Sequence, residues 1–138
     1  MSNDTIFTKI IKREIPAEII YEDDEFISFL DIKPTNEGHS LVVPKNVYEN
    51  YFDMPDEMVE KFAVLIKKIA PRIKEAVSAD GVNLIMNNGK EAGQIIFHAH
   101  MHIIPRFSGD GFSHWPGKDM TPEELKKTAE KIKKVLSN

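Results

Sequence analysis

At 138 residues and 41% hydrophobic content, the chain is long enough for one domain with a substantial core and too short to need a second. A formal charge of −4 and a pI near 5.7 argue against gripping nucleic-acid backbones by bulk electrostatics and favour a small partner. The lack of cysteine excludes disulfides and thiolate-ligated zinc and suits a reducing cytoplasm, and no apolar run approaches the roughly 20 residues of a membrane span. The start, Met1-Ser2-Asn3-Asp4, has no basic-then-apolar pattern and reads as the unprocessed beginning of a soluble protein.

In chain order, Asp4 is placed to cap a short helix through Ile6, Phe7, Ile10 and Ile11, which Ile15-Pro16 should end because the residue before proline avoids helical angles. Ile19 to Tyr21 and Glu25 to Leu30 flank the acidic turn Glu22-Asp23-Asp24 and read as a β-hairpin. Gly38 to Val43, closed by Pro44, reads as a third strand with His39 at its start. From Asp56 to Val77 apolar residues recur at three and four, the spacing of an amphipathic helix, with Pro71 expected to kink it. Asp80-Gly81 then turns into a fourth strand, Val82 to Asn87. Past Arg106, the loop Phe107 to Lys118 carries His114 and Trp115 and reads as a surface loop tucked in by the tryptophan. Thr121-Pro122-Glu123-Glu124 forms a capping box for a last helix to about Leu136, whose Lys126, Lys127, Lys131, Lys133 and Lys134 read as a solvated face. The order of elements predicts an α+β fold with a largely antiparallel sheet.

Between the fourth strand and that loop lies His98-Ala99-His100-Met101-His102-Ile103-Ile104, where histidine alternates with apolar residues. On a strand this period of two puts three imidazoles on one face and Ala99, Met101 and Ile103 on the other. Such a face suits a half-buried imidazole-rich strand, a metal site, or an acid/base and nucleophile cluster. Geometry limits the metal: at roughly 3.3 Å per residue His98 and His102 stand about 13 Å apart, too far to share one zinc on a regular strand, although His39 could complete a two-histidine site.

The run Gln94-x-x-x-His98-x-His100-x-His102-Ile103-Ile104 resembles the signature of the histidine triad (HIT) family of nucleotide hydrolases and transferases. Thr5-Ile6-Phe7-x-Lys9-Ile10-Ile11, Ile15-Pro16-Ala17, Tyr21-Glu22-Asp23-Asp24, Phe29-Leu30-Asp31-Ile32 and Gly38-His39-x-Leu41-Val42-Val43-Pro44-Lys45 extend the likeness over roughly Thr5 to Arg106. The resemblance implies a single HIT domain, with its core about residues 5–106 and a C-terminal loop and helix over 107–138. Its fold would be a mostly antiparallel five-stranded sheet with one long helix. It implies that His100 attacks the α-phosphorus of a purine nucleotide and forms a covalent nucleotidyl-imidazole intermediate, held by the backbone carbonyl of His98. His102 and His39 would hold phosphate oxygens and the leaving-group side. Asn87, Gly93, Gln94 and Ile95 would contact the phosphate, Asp31 the ribose hydroxyls, and Ile6, Phe7, Phe29 and Ile32 the base.

The resemblance further implies a homodimer paired through the long helix and a sheet edge; with the absence of cysteine, the acidic charge and the lack of a membrane span, the expectation is a cytoplasmic protein with no nucleic-acid or membrane partner and no metal or cofactor required. Leu65, beside the main helical stripe, widens the apolar arc in a way that fits such pairing. One departure bears on the chemistry. In the family's phosphoramidase branch the residue after the motif glutamine is typically a serine that helps protonate an amine leaving group, and here it is Ile95. The leaving group is therefore open between an amine and the phosphate or nucleotide of a dinucleoside polyphosphate. A nucleotide-sensing scaffold and a histidine-ligated metal-binding protein are the alternative readings.

Overall fold

The computed structural model describes residues 4–138, so the reading of the extreme start falls mostly outside the described residues. Five strands, β1 (Ile19–Glu22), β2 (Phe26–Leu30), β3 (Ser40–Pro44), β4 (Gly81–Ile85) and β5 (Met101–Arg106), form one sheet in the order β1-β2-β3-β5-β4, with every neighbouring pair antiparallel. Three α-helices accompany them: α1 (Ile6–Ile11), α2 (Asp56–Ala76) and α3 (Pro122–Leu136). None of the helices is long and apolar enough to cross a membrane, among the described residues.

The central strands are buried on both sides, and alternation sorts their side chains into two cores. On one face Phe26, Val42 and Ile103 pack against Phe62, Ile66 and Ile69 of α2. On the other, Ile27, Phe29, Leu41 and Val43 pack against Phe7 and Ile10 of α1. Residues opposed in a ladder share a face. Ile19, Phe29, Leu41, His102 and Ile85 are successive cross-strand partners, so His102 belongs to the α1 face and not to the α2 face.

Local expectations were altered by particular contacts. Thr5, not Asp4, caps α1: its hydroxyl accepts from the Phe7 and Thr8 amides, and Thr8 returns the bond to the Thr5 amide. The helix stops at Ile11, well before Pro16, because Arg13 takes a left-handed conformation (φ 64°) that closes the last turn onto Ile10 and Lys9 carbonyls. Helix α2 continues through Pro71 as one element. Leu65 is buried in the chain's own core, at 7% exposure, so it offers nothing to a partner, and Val64 is the exposed residue beside it. Trp115, at 86% exposure, tucks nothing in; the 107–112 loop is anchored instead by Asp110. Helix α3 begins at its capping box and buries none of its residues.

Candidate active site

The histidine run is not one regular strand. β5 starts only at Met101, because Pro44 on the neighbouring strand has no N–H to extend the ladder, and the Ala99 amide donates to the Tyr48 carbonyl instead. His98 then takes over from the ladder with its side chain. Its Nε2–H donates to the Pro44 carbonyl at 2.7 Å, and its Nδ1 accepts at 3.0 Å from the Thr5 hydroxyl, whose own lone pairs hold the helix-cap amides. Fully enclosed and paired at both nitrogens, His98 is a structural post that ties α1 to the end of β3.

His100 stands on that post. Its Nδ1–H donates to the His98 carbonyl at 2.7 Å, which fixes the tautomer and leaves Nε2 as an unshared lone pair. The edge of Phe7 packs on the ring with centroids 4.9 Å apart, so the imidazole is held by both a hydrogen bond and an aromatic contact.

A second chain of bonds orients the other two imidazoles. The Thr35 amide donates to His39 Nδ1 at 3.0 Å, which places the His39 proton on Nε2, and Nε2 lies 2.9 Å from His102 Nδ1. His102 must accept there, so its own proton sits on Nε2. The His102 ring lies 5.0 Å, centroid to centroid, from that of His100. A lone pair and an N–H donor are therefore offered side by side. Asp31 Oδ2 lies 3.6 Å from His39 Nε2, while its Oδ1 accepts from the Lys33 amide.

Burial lowers the pKa of His39, His98, His100 and His102; for His39 it outweighs the nearby Asp31 charge, and for His100 it outweighs the His98 carbonyl. All four are neutral imidazoles at pH 7. The native state thus binds fewer protons than the unfolded chain once pH drops below the ordinary imidazole value of about 6.5. Stability is expected to be full above that pH and to fall on acidification, by up to ~1.4 kcal/mol per pH unit for each histidine in its window. Urea unfolding at pH 7.5 and 5.5 reads this, and equal or greater stability at pH 5.5 would contradict the neutral, buried assignment.

Beside His100 and His102 opens a cleft of about 360 Å³. Phe7 and Phe29 form its floor, Ile6 and Ile32 its exposed edges, and Asp31 its carboxylate, so the five expected nucleoside residues do converge. Ile15, Pro16, Ala17 and Lys33 also line it. Ile15-Pro16-Ala17 belongs to the motifs that carry the family likeness, but only the folded chain shows these three residues and Lys33 as cleft walls. Gly93 and Ile95 reach the cleft rim, Ile95 at 87% exposure.

Gln94 differs from expectation. Both amide hydrogens are taken, by the Glu49 carbonyl at 2.6 Å and the Ile96 carbonyl at 3.1 Å, and its oxygen accepts from the Gly89 amide. At 3% exposure it shapes the 89–96 loop and does not line the cleft. Asn87, expected to contact the phosphate, does not line the cleft either; its Nδ2 donates to the Gly93 carbonyl at 3.5 Å.

Asp31, His39 and His102 are also the one triplet, among the described residues, whose ligand atoms fall within 4.8 Å of one another. A cation there would have to replace the His39–His102 bond, and the Thr35 amide already occupies the other His39 nitrogen.

The site is that of an α+β protein whose antiparallel sheet carries His102, with His100 just ahead of β5, beside an apolar cleft lined by a single carboxylate, Asp31. The HIT domain model matches residues 12–109. An adenosine 5′-monophosphoramidase of Schizosaccharomyces pombe is 37% identical over 130 residues, covering 92% of this chain and 94% of that protein. An adenylylsulfatase of Arabidopsis thaliana is 39% identical over 126 residues, covering 91% of this chain and 63% of that one. A crystal structure of a HIT-family member from Bacillus subtilis superposes with a TM-score of 0.85 at 40% identity, over 94% of each chain. The chain belongs to the histidine triad (HIT) family.

Proposed function

We propose that this chain is a cytoplasmic nucleotidyl hydrolase or transferase that acts at the α-phosphate of purine nucleotide conjugates. The observation that carries the reading is the state of His100, whose Nδ1 is engaged by the His98 carbonyl and whose free Nε2 lone pair borders the cleft. Attack by Nε2 forms a nitrogen–phosphorus bond as the bond from phosphorus to the leaving group breaks; water then attacks the nucleotidyl-imidazole, releasing the nucleoside monophosphate and restoring the ring. The Nε2–H of His102 is placed to donate to a phosphate oxygen or to the departing group. Asp31 accepts the ribose hydroxyls, and the base lies between the aromatic floor and the aliphatic edges. With the Gln94 side chain held in its loop, the phosphate contacts are assigned to backbone amides near Gly93 and Ile95, which line the cleft.

Every group this route needs comes from the chain, so no metal or cofactor is invoked and activity persists in excess chelator. The active form is a homodimer joined through the β4 edge, where Leu84 and Ile85 are exposed, and the neighbouring surface of α2.

The two enzymatic relatives are named for adenylates with different leaving groups, an amine in one and sulfate in the other. Ile95 bears on the choice between such groups here, since it leaves His102 as the side chain able to donate to the departing group. An amine leaves only if protonated, and an isoleucine at the rim supplies no proton, whereas sulfate, phosphate or a nucleotide departs as a stabilised anion. In a competition among adenosine 5′-phosphoramidate, a lysine-linked adenylate and a dinucleoside polyphosphate, Ile95→Ser is expected to raise phosphoramidate kcat/KM more than polyphosphate cleavage, by about 1–2 kcal/mol for one added hydrogen bond. A wild-type preference for the phosphoramidate by several orders of magnitude, unchanged by Ile95→Ser, would remove the serine argument; no nucleotide product from any substrate would remove the hydrolase reading.

A further inference from the structure

Asp110 has more hydrogen-bond donors gathered on it than a surface loop requires, and no step of the proposed chemistry uses it. Its Oδ2 accepts from Arg106 Nε at 2.9 Å, the Phe107 amide at 2.8 Å and Asn36 Nδ2 at 2.8 Å. Its Oδ1 accepts from an Arg106 terminal nitrogen at 2.7 Å and the Phe112 amide at 3.0 Å. The side chain is only 9% exposed, and the Arg106 guanidinium, first among these partners, holds the carboxyl well below the usual carboxylate range. Asp110 also lies just past the last residue matched by the family model.

The long-range member of this cluster is Asn36, 74 residues away in sequence. Its amide spends its hydrogens on Asp110 and on the Pro105 carbonyl. Asn36 sits in the 31–39 loop, between the cleft carboxylate Asp31 and the imidazole of His39. Residues 32–35 of that loop are exposed, so little packing restrains them. The loop is closed by hydrogen bonds alone at this point: the Asp31 amide to the His39 carbonyl, the His39 amide to the Asn36 carbonyl, and the Thr35 amide to His39 Nδ1. The last of these determines which nitrogen of His39 is protonated, and through it which nitrogen of His102 faces outward as a donor. At the far end Gly38 (φ 88°) passes so close to Pro105 and Val77 that a Cβ would stand 3.1 Å from each, so this turn requires glycine.

We infer that Asp110 and Asn36 are positioning residues for the two-histidine relay: the carboxylate clamps Asn36, Asn36 fixes the Thr35 amide on His39 Nδ1, and His39 thereby keeps the His102 Nε2–H available. The inference rests on the nucleotidyl-transfer reading for its kinetic part, but the tautomers are a property of the ligand-free protein. Removing the clamp leaves the Phe7–Phe29 floor and His100 in place. Nucleotide binding is therefore retained while the donor beside the nucleophile loses its fixed orientation.

The test combines Asn36→Ala and Asp110→Ala with imidazole ¹⁵N spectra of the ligand-free proteins and steady-state kinetics on an adenylate substrate. Asn36→Ala is the milder variant, since it removes two side-chain hydrogen bonds where Asp110→Ala removes five, and Asp110→Ala tests the same clamp from the other side. Expected for both are averaged tautomer signals for His39 and His102, unchanged signals for His98 and His100, and a fall in kcat of about tenfold with KM within threefold. Tautomer signals identical to wild type in the folded variants, whatever the change in melting temperature, would reduce the cluster to structural support and overturn the inference. So would averaged tautomers with unaltered kcat. Should wild type lack turnover altogether, the functional reading fails while the spectra still decide the clamp.

Discussion

Replacing His100 with alanine is expected to lower turnover by about 10⁴-fold or more, the scale on which loss of a nucleophile acts, while leaving nucleoside monophosphate affinity within a few fold. The separation follows from the layout of the site. The cleft that takes the base is made by Phe7, Phe29 and their aliphatic neighbours, and the ribose carboxylate comes from Asp31 at the end of β2; none of these needs the imidazole. His100 does pack on Phe7, so a modest loss of thermal stability accompanies the change. Product nucleotide measured by chromatography and affinity measured by calorimetry give the two readouts. Retention of even a tenth of wild-type turnover would show that another group attacks phosphorus. Mass spectrometry of rapidly quenched wild-type enzyme adds a direct check, because a nucleotidyl adduct should appear on the wild-type protein and be absent from the variant.

Phe62→Ala is expected to cost about 3–5 kcal/mol of folding free energy, the range for truncating a buried phenylalanine. Phe62 is 1% exposed at the middle of α2, and its ring stacks on Phe26 of β2 with centroids 5.9 Å apart. A cavity there loosens the helix from the sheet, and a loss of that size is a large fraction of the roughly 5–15 kcal/mol that keeps a domain folded. The histidines sit across the sheet, on the α1 face. Activity per folded molecule should therefore be close to wild type where the variant still folds. Urea midpoints compared at constant m-value measure the effect, and a cost below about 1 kcal/mol would mean that α2 does not anchor the fold as its packing indicates.

Much of the architecture could be read from the chain because it is encoded over a few residues. The three- and four-residue apolar period of α2, the acidic turn between β1 and β2, and the Thr121–Glu124 capping box are each local signals, and each element is where its signal lies. The HIT fold followed from short motifs spread over Thr5 to Arg106. Periodicity misled where a single tertiary contact overrode it. The histidine alternation predicted a strand from His98, but the Pro44 carbonyl and Tyr48 carbonyl capture that segment before the ladder begins. Leu65 reads as a residue outside the stripe until the sheet is laid beneath it, and Gln94 reads as a ligand contact until Glu49, Ile96 and Gly89 are found around its amide.

What the sequence by itself determined was which side chains are present and which face of a helix or strand each prefers, since those depend on spacings of two to four residues. It therefore brought the imidazoles, the apolar cleft residues and Asp31 into view as a set. The proton positions were decided only by tertiary structure: His98 is paired with Thr5 across 93 residues and with Pro44 across 54, and His102 takes its tautomer from His39 across 63, while the nearby partners of His100 and His39, the His98 carbonyl and the Thr35 amide, are backbone groups that reach the rings only in the folded loops. A hydrogen bond is directional and nearly all-or-none over a few tenths of an ångström, whereas hydrophobic patterning tolerates such shifts. The pattern thus specifies the fold and leaves to the packed structure the question of which imidazole nitrogen holds a proton and which is free to attack.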